Sequence, residues 1–224
     1  MDNCKLMNII MPHVFMRIML CALLVCLANQ QMIYSQANFK KLSAKERREG
    51  FVLLFNGKDL DGWTGETGGA EQHNYYVEDG KIICPKKGIR LVTKEQYKNF
   101  VLRLEYKLEP GGNNGIGLHA PMNTWGTEVQ ILDDTSDEWK GIKDSEYNGS
   151  IYGRAAAERG HLKPVGQWNY MEITADGPRT TVNLNGAKIL DCTGKMKSET
   201  AGYIKLLGHS SRVEFRNLRI KVLK

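Results

Sequence analysis

The run Phe100–Leu108 (FVLRLEYKL) sets Phe100, Leu102, Leu104, Tyr106 and Leu108 on one face of an extended chain. Val101, Arg103, Glu105 and Lys107 then share the other, because side chains on a strand alternate with period two. A helix would scatter those five apolar residues around its circumference, so the segment is a half-buried β-strand. The rest of the chain after Phe51 has the same grain: short apolar or alternating runs divided by turn dipeptides. Asn56-Gly57, Asp61-Gly62, Asp79-Gly80, Asp176-Gly177 and Asn185-Gly186 supply residues that tolerate positive φ, as tight turns require. The further strands read at 51–55, 75–77, 81–84, 89–92, 127–132, 150–152, 169–174, 180–184, 188–190, 203–207 and 213–222. About a dozen strands of this kind close into two packed sheets with aligned inner faces.

Helix is expected once. Ser43 and Glu46 stand at capping-box spacing and Gly50 suits a C-terminal cap, giving a single short lead-in helix before the first strand. Upstream, Ile18–Ala28 is an apolar run preceded by Lys5 and Arg17 and followed by Asn29-Gln30-Gln31. It is short for a membrane span and has the layout of a secretory leader. Cleavage is read after Ala37, with Ala28 as the alternative site. Residues 1–37 are therefore expected to be a signal peptide and 38–224 a single domain, periplasmic or secreted and not inserted in a membrane after processing. Without the leader's Lys5, Arg17 and Asp2, the 31 basic and 25 acidic residues become 29 and 24, a net charge of +5. The charges are interspersed and form no basic stripe, so nucleic acid is not an expected partner. Cys84 and Cys192 remain after the leader, too few for a disulfide framework.

Gly111–Asp134 (GGNNGIGLHAPMNTWGTEVQILDD) carries the residues from which a site would be built. In Thr127–Leu132, Val129 and Ile131 share one face, and Glu128, Gln130 and Leu132 the other. Sandwich-fold glycosidases place three acids on alternate positions of such a strand. Here an amide and a leucine stand in two of those positions, which disfavours ordinary two-carboxylate hydrolysis. The plainer interpretation of Glu128 and Gln130 is a solvated sheet face. His119 lies on the neighbouring strand with Gly115 and Gly117 at alternate positions, and glycines on a strand face leave room for close approach. Asn113-Asn114-Gly115 also reads as an ordinary turn, and His209 as an ordinary strand-end residue. Asp133, Asp134, Asp137 and Glu138 crowd one loop that could hold Ca²⁺, but it lacks a recognisable ligand spacing and a solvated acidic loop is the favoured reading. No cofactor is otherwise indicated. Tyr152, His73 and His161 are candidates for lining a cleft, as are Arg103 and Glu105 from the polar face of the long strand. Trp63, Trp125, Trp139 and Trp168 could stack on sugar rings or belong to the core.

Taken together, these stretches resemble the 3-keto-disaccharide hydrolase family of exported bacterial domains. The carriers are LFNGKDLDGW at 54–63, VEDG at 77–80, GGNNGI at 111–116, EVQILD at 128–133, GQWN at 166–169, LNG at 184–186 and VEFRNLRIK at 213–221. Many members look like G-I-x-x-R where this chain has Gly115-Ile116-Gly117-Leu118-His119, a change of both charge and reach. The resemblance implies an all-β jelly-roll sandwich of concanavalin/laminin-G type, a carbohydrate substrate, and cleavage of glycosides already oxidised to the ketone at C3. It implies a base, Glu128 or His119, and sugar or enolate contacts from Gln130 and Asn114, with Arg103, Glu105, Tyr152 and Trp125 as further binding candidates. His209 would serve the leaving group, and a divalent cation could replace a hydrogen-bond donor. The alternative is a non-catalytic carbohydrate-binding module on the same fold.

Overall fold

The computed structural model describes residues 41–66, 73–197 and 200–224, so the leader lies outside the described residues. Helix α1 (Ala44–Glu49) forms as its signals predict: Ser43 and Glu46 make both halves of the capping box, and Gly50 closes the helix at φ +84°. Thirteen strands follow among the described residues. One sheet has the order β11 (Ala187–Thr193), β10 (Arg179–Leu184), β9 (Trp168–Asp176), β6 (Phe100–Leu108), β13 (Val213–Val222), β4 (Lys81–Cys84), β3 (Tyr76–Glu78), with β1 (Val52–Leu53) also pairing β13; the other has the order β2 (Trp63–Gly65), β5 (Leu91–Tyr97), β12 (Gly202–Leu207), β7 (Asn113–Ala120), β8 (Thr127–Leu132). All pairings are antiparallel. The jelly-roll sandwich expected from the chain is the fold observed.

Strand β6 (Phe100–Leu108) runs through the middle of the larger sheet between β9 (Trp168–Asp176) and β13 (Val213–Val222). Its alternation holds over all nine residues: every odd member of the run is buried and every even one is partly exposed. The apolar faces of β6, β9, β10 (Arg179–Leu184) and β13 pack on Ile116, Leu118, Val129, Ile131, Ile204 and Leu206 of the smaller sheet. In β13 the apolar phase slips between Phe215 and Leu218. A bulge explains it: Asn217 sits at φ +56° and the register with β6 shifts between Arg216 and Arg219. The bulge also divides the far edge of β13, which pairs with β4 (Lys81–Cys84) before it and β1 (Val52–Leu53) after it.

Several local expectations move. Residues 150–152 form only an isolated bridge from Ile151 to Val129 and Ala155, not a strand. β5 (Leu91–Tyr97) starts later and runs longer than the short strand expected at 89–92. Trp63 belongs to β2 (Trp63–Gly65) and is a core residue, its indole donating to the Leu54 carbonyl at 2.8 Å. Cys84 and Cys192 are both free thiols.

The outward face of the larger sheet is tied by ion pairs. Glu214 is buried on β13 among Lys107 at 2.8 Å, Lys81 at 3.6 Å and Arg212. Burial pushes its carboxyl up, but hydrogen bonds from Lys107 and Arg212 outweigh that and hold it below the ordinary range. A depressed folded-state pKa contributes stability above the unfolded value and loses it as pH falls through the folded one. Glu214→Gln is therefore expected to cost about 1–3 kcal/mol in urea unfolding at neutral pH. The gap from wild type should begin to narrow below about pH 4, where the unfolded carboxyl protonates, and close once pH has fallen through the lower folded-state value.

Candidate functional site

On the smaller sheet, β7 (Asn113–Ala120) pairs with β8 (Thr127–Leu132) in the register Asn113↔Leu132, Gly115↔Gln130 and Gly117↔Glu128. Residues directly opposite share a face, so Asn113, Gly115, Gly117, Glu128, Gln130 and Leu132 all point away from the core. That face is not solvated: Glu128 is 7% exposed, Gln130 4% and Leu132 1%. The cause is the segment after β8, which doubles back over it. Gln130 donates to the Ser150 carbonyl at 3.0 Å, Gly149 to the Gln130 carbonyl at 2.8 Å, and Tyr152 to the Glu128 carbonyl at 3.0 Å, covering the free edge of β8. Asn148 locks the fold-back, its Oδ1 accepting from Leu132 N and the Tyr106 hydroxyl. Burial pushes the Tyr106 phenol far up, so it stays a neutral donor.

Between this segment and the sheet lies a cavity of about 270 Å³. Asn113, Glu128, Gln130 and His209 form its polar floor, and Leu132, Trp139 and Ile142 close one end. Trp125 and Tyr152 stand at the mouth, 51% and 43% exposed. The Glu128 carboxylate lies across β7 above Gly115, where an added Cβ would come 2.2 Å from Oε1. The close approach anticipated for the strand glycines is thus made by the protein's own carboxylate. His209 Nε2 is 3.6 Å from Glu128 Oε1. Its place is set by backbone contact, since a Cβ on the preceding Gly208 would be 1.8 Å from the Gly88 carbonyl. Four polar atoms lining this cavity are buried without a hydrogen-bond partner: Asn113 Oδ1, Gln130 Oε1, Trp139 Nε1 and His209 Nε2. Buried polar groups are normally satisfied, so four unpaired atoms around one cavity mark a place for a polar ligand. Oxygen and nitrogen of an amide are interchangeable in such a network, so Asn113 and Gln130 can each offer an acceptor or a donor.

The structure brings together Glu128, Gln130, His209, Tyr152 and Trp125, and it removes four other candidates. His119 leaves the cavity face because the chain bulges there: its φ is +48°, which turns the side chain inward and breaks the period set by Gly115 and Gly117. Its Nε2 donates to the Lys98 carbonyl at 2.6 Å, and its ring packs edge-on to Phe100. It is buried and does not line the cavity. Asn114 points into the core, its amide nitrogen 3.4 Å from Cys84 Sγ; the asparagine in the cavity is its neighbour Asn113. Arg103 and Glu105 lie on the outward face of the larger sheet, across the sandwich. Arg103 pairs with Glu172 at 2.7 Å and Glu49 at 3.3 Å, and Glu105 accepts from Arg216 at 2.7 Å and Asn217 at 2.6 Å.

Of the other cleft candidates, His161 pairs with Glu158 at the surface, and neither it nor His73 lines the cavity. Trp168 lies on the outward face of the larger sheet, where Lys107 and Arg216 stack on it. The acidic loop uses its oxygens locally. Asp133 accepts from Gly111 and Thr135, Asp134 from Asn148, and Asp137 pairs with Lys140. Among the described residues, no three His, Cys, Asp or Glu side chains are grouped to hold a metal ion.

Asn113, Ile142 and Glu146 are lining residues the sequence did not single out, and Trp139 was named only among four tryptophans that could stack on sugar or belong to the core. Asn113 was available from parity with Gly115 and Gly117. The other three depend on the fold-back. Glu146 brings a second, half-buried carboxylate, which accepts from the Lys143 backbone nitrogen at 3.3 Å and lies 3.9 Å from the exposed Lys143 ammonium.

Residues 50–221 match the 3-keto-alpha-glucoside-1,2-lyase-like domain. The chain is 24% identical over 232 residues to a 3-keto-disaccharide hydrolase of Bacteroides thetaiotaomicron, covering 78% of this chain and 79% of the relative. A solved structure of a candidate glycosyl hydrolase from Parabacteroides distasonis superposes with a TM-score of 0.75 at 28% identity, covering 83% of this chain and 99% of that one. Porphyranase B of Zobellia galactanivorans, at 10% identity and a TM-score of 0.51 over 78% of this chain and 94% of its own, shares the fold. With a buried carboxylate and unpaired polar groups gathered in one cavity of this sandwich, the chain belongs to the family of 3-keto-alpha-glucoside-1,2-lyase-like domains and is a glycoside-cleaving enzyme.

Proposed function

We propose that the protein is an exported enzyme that cleaves 3-keto-glycosides by elimination and hydration, with Glu128 as the base. The observation that carries this is the Glu128 carboxylate, buried in the cavity floor with His209 beside it at 3.6 Å, while the cavity's other carboxylate, Glu146, is only half-buried. One free carboxylate suffices when the substrate supplies its own activation. A ketone at C3 acidifies the C2 proton, which Glu128 removes, placing the electron pair in a C2–C3 enolate. The enolate collapses to a C1–C2 double bond as the C1–O bond breaks, and His209 gives its proton to the departing oxygen. Water then adds at C1, its proton returning to His209, while Glu128 returns its proton to C2. Atoms and charges balance, and both catalytic groups are restored. The indole N–H of Trp139 and the amides of Gln130 and Asn113 are the unpaired groups that would hold the enolate oxygen and the sugar hydroxyls.

Glu146 favours one rival, conventional two-carboxylate hydrolysis. The two are separated by offering a 3-keto-glucoside and its unoxidised parent to the enzyme and to Glu146→Gln. Elimination predicts that only the ketone is consumed and that Glu146→Gln stays within about threefold of wild type, well short of a general acid–base loss. Consumption of the unoxidised glucoside, abolished by Glu146→Gln, would establish the rival instead.

A further inference from the structure

Lys205 stands on β12 (Gly202–Leu207) opposite Gly117, on the same face as Glu128, yet its side chain is wholly buried. Burial pulls its ammonium pKa down, and an unpaired cation there would be costly. It is not unpaired. Nζ donates to the Met122 carbonyl at 2.6 Å and to Glu66 Oε1 at 3.2 Å. The other oxygen of Glu66 accepts from Arg90, and the Arg90 guanidinium carbon lies 5.5 Å from the centre of the Trp125 ring, within cation–π range. The contacts run Met122–Lys205–Glu66–Arg90–Trp125, so they leave one short loop and return to it three residues later. The loop is also fixed at Gly126, which has φ +70° and no space for a side chain, a Cβ there falling 2.4 Å from the Leu118 carbonyl. Trp125 lines the cavity while Arg90 does not, so the cation backs the ring from outside.

We propose that Lys205, Glu66 and Arg90 are positioning residues that hold Trp125 as the stacking wall of a sugar subsite on the Gly117 side of Glu128. The placement follows from the register. Leu132, Trp139 and Ile142 close the opposite end of the cavity, so the carboxylate lies between two subsites and the substrate spans it. An indole whose outer face rests on a guanidinium keeps its inner face for the C–H side of a pyranose. A mobile tryptophan would have to be ordered by each substrate that bound, and holding it beforehand removes that cost. The proposal rests on the carbohydrate-cleaving function of the cavity, but its structural half is separable from it.

The experiment uses Lys205→Met, with Arg90→Met as a second variant at a more exposed position, in protein labelled with fluorotryptophan. The Trp125 resonance is assigned through Trp125→Phe. In both variants that resonance is expected to shift or broaden while those of Trp63 and Trp168 stay in place; an unmoved Trp125 signal would overturn the positioning role whatever the substrate is. With a 3-keto-glucoside, both variants are expected to raise KM about tenfold and to change kcat less than twofold, the pattern of lost uniform binding. Lys205→Met combined with Trp125→Ala should bind no worse than Trp125→Ala alone, because both act through the same ring. Additive losses, or an unchanged KM beside a shifted Trp125 signal, would overturn the subsite.

Discussion

Glu128→Gln is expected to lower kcat for a 3-keto-glucoside at least about a hundredfold, the scale of a lost general base, with the thermal midpoint close to wild type. In barrier height that is about 2.7 kcal/mol or more. The amide keeps the volume and most of the contacts of the carboxylate, so folding should survive. Among the described residues the carboxylate makes no direct ion pair with a Lys or Arg side chain, and His209 lies 3.6 Å from it. That spacing is an ion-pair contact and not a tight hydrogen bond, as suits two groups that work on different atoms of a ligand placed between them. With His119 withdrawn behind Phe100, Glu128 and the half-buried Glu146 are the two carboxylates that line the cavity, and Glu128 is the more deeply buried. Activity retained in Glu128→Gln, measured beside an unchanged circular dichroism spectrum, would remove Glu128 from the chemistry.

Gly115→Ala is the second large effect, and it acts without touching a reacting group. The new Cβ would come 2.2 Å from Glu128 Oε1 and 2.8 Å from its Cδ. Both lie toward the far end of a flexible side chain, so the carboxylate gives way and the backbone stays. The fold should therefore lose little, on the order of 1 kcal/mol or less for a substitution whose clash is relieved by rotamer change. The carboxylate, however, is lifted off β7 by more than an ångström. Displacements of that size cost about a hundredfold in a positioned reaction. A turnover loss of about ten- to a hundredfold with an unfolding midpoint within a few degrees of wild type is the expected result. Wild-type turnover would mean that the resting position of Glu128 above Gly115 is irrelevant to catalysis.

The sandwich was legible because its signals are local. The alternation of Phe100–Leu108, the Asp79-Gly80 and Asn185-Gly186 turns and the Ser43/Glu46 cap each concern residues within reach of one another in the chain. The shared face of Glu128 and Gln130 was legible for the same reason. Whether that face was wet or covered was not, because its cover depends on Asn148 reaching Leu132 and Tyr106 across long sequence distances. Parity along β7 misled at His119, where one residue in the left-handed region resets the period. Arg103 and Glu105 were rightly assigned to an outward face, but a strand pattern does not say which sheet it joins, and theirs is the sheet opposite the cavity. The Lys205–Glu66–Arg90 chain joins β12 to the residue after β2 and the residue before β5, far apart in sequence, and leaves no mark on local periodicity.

The elimination pathway is tested most directly by running the reaction on a 3-keto-glucoside in deuterated water and reading the first-formed 3-keto sugar by NMR, against a control for exchange in the free product. Removal of the C2 proton and its return from a solvent-exchanged Glu128 predict deuterium at C2 in wild type at early turnover. Direct displacement at C1 leaves C2 untouched, so a product released with its original C2 hydrogen would contradict Glu128 as the C2 base.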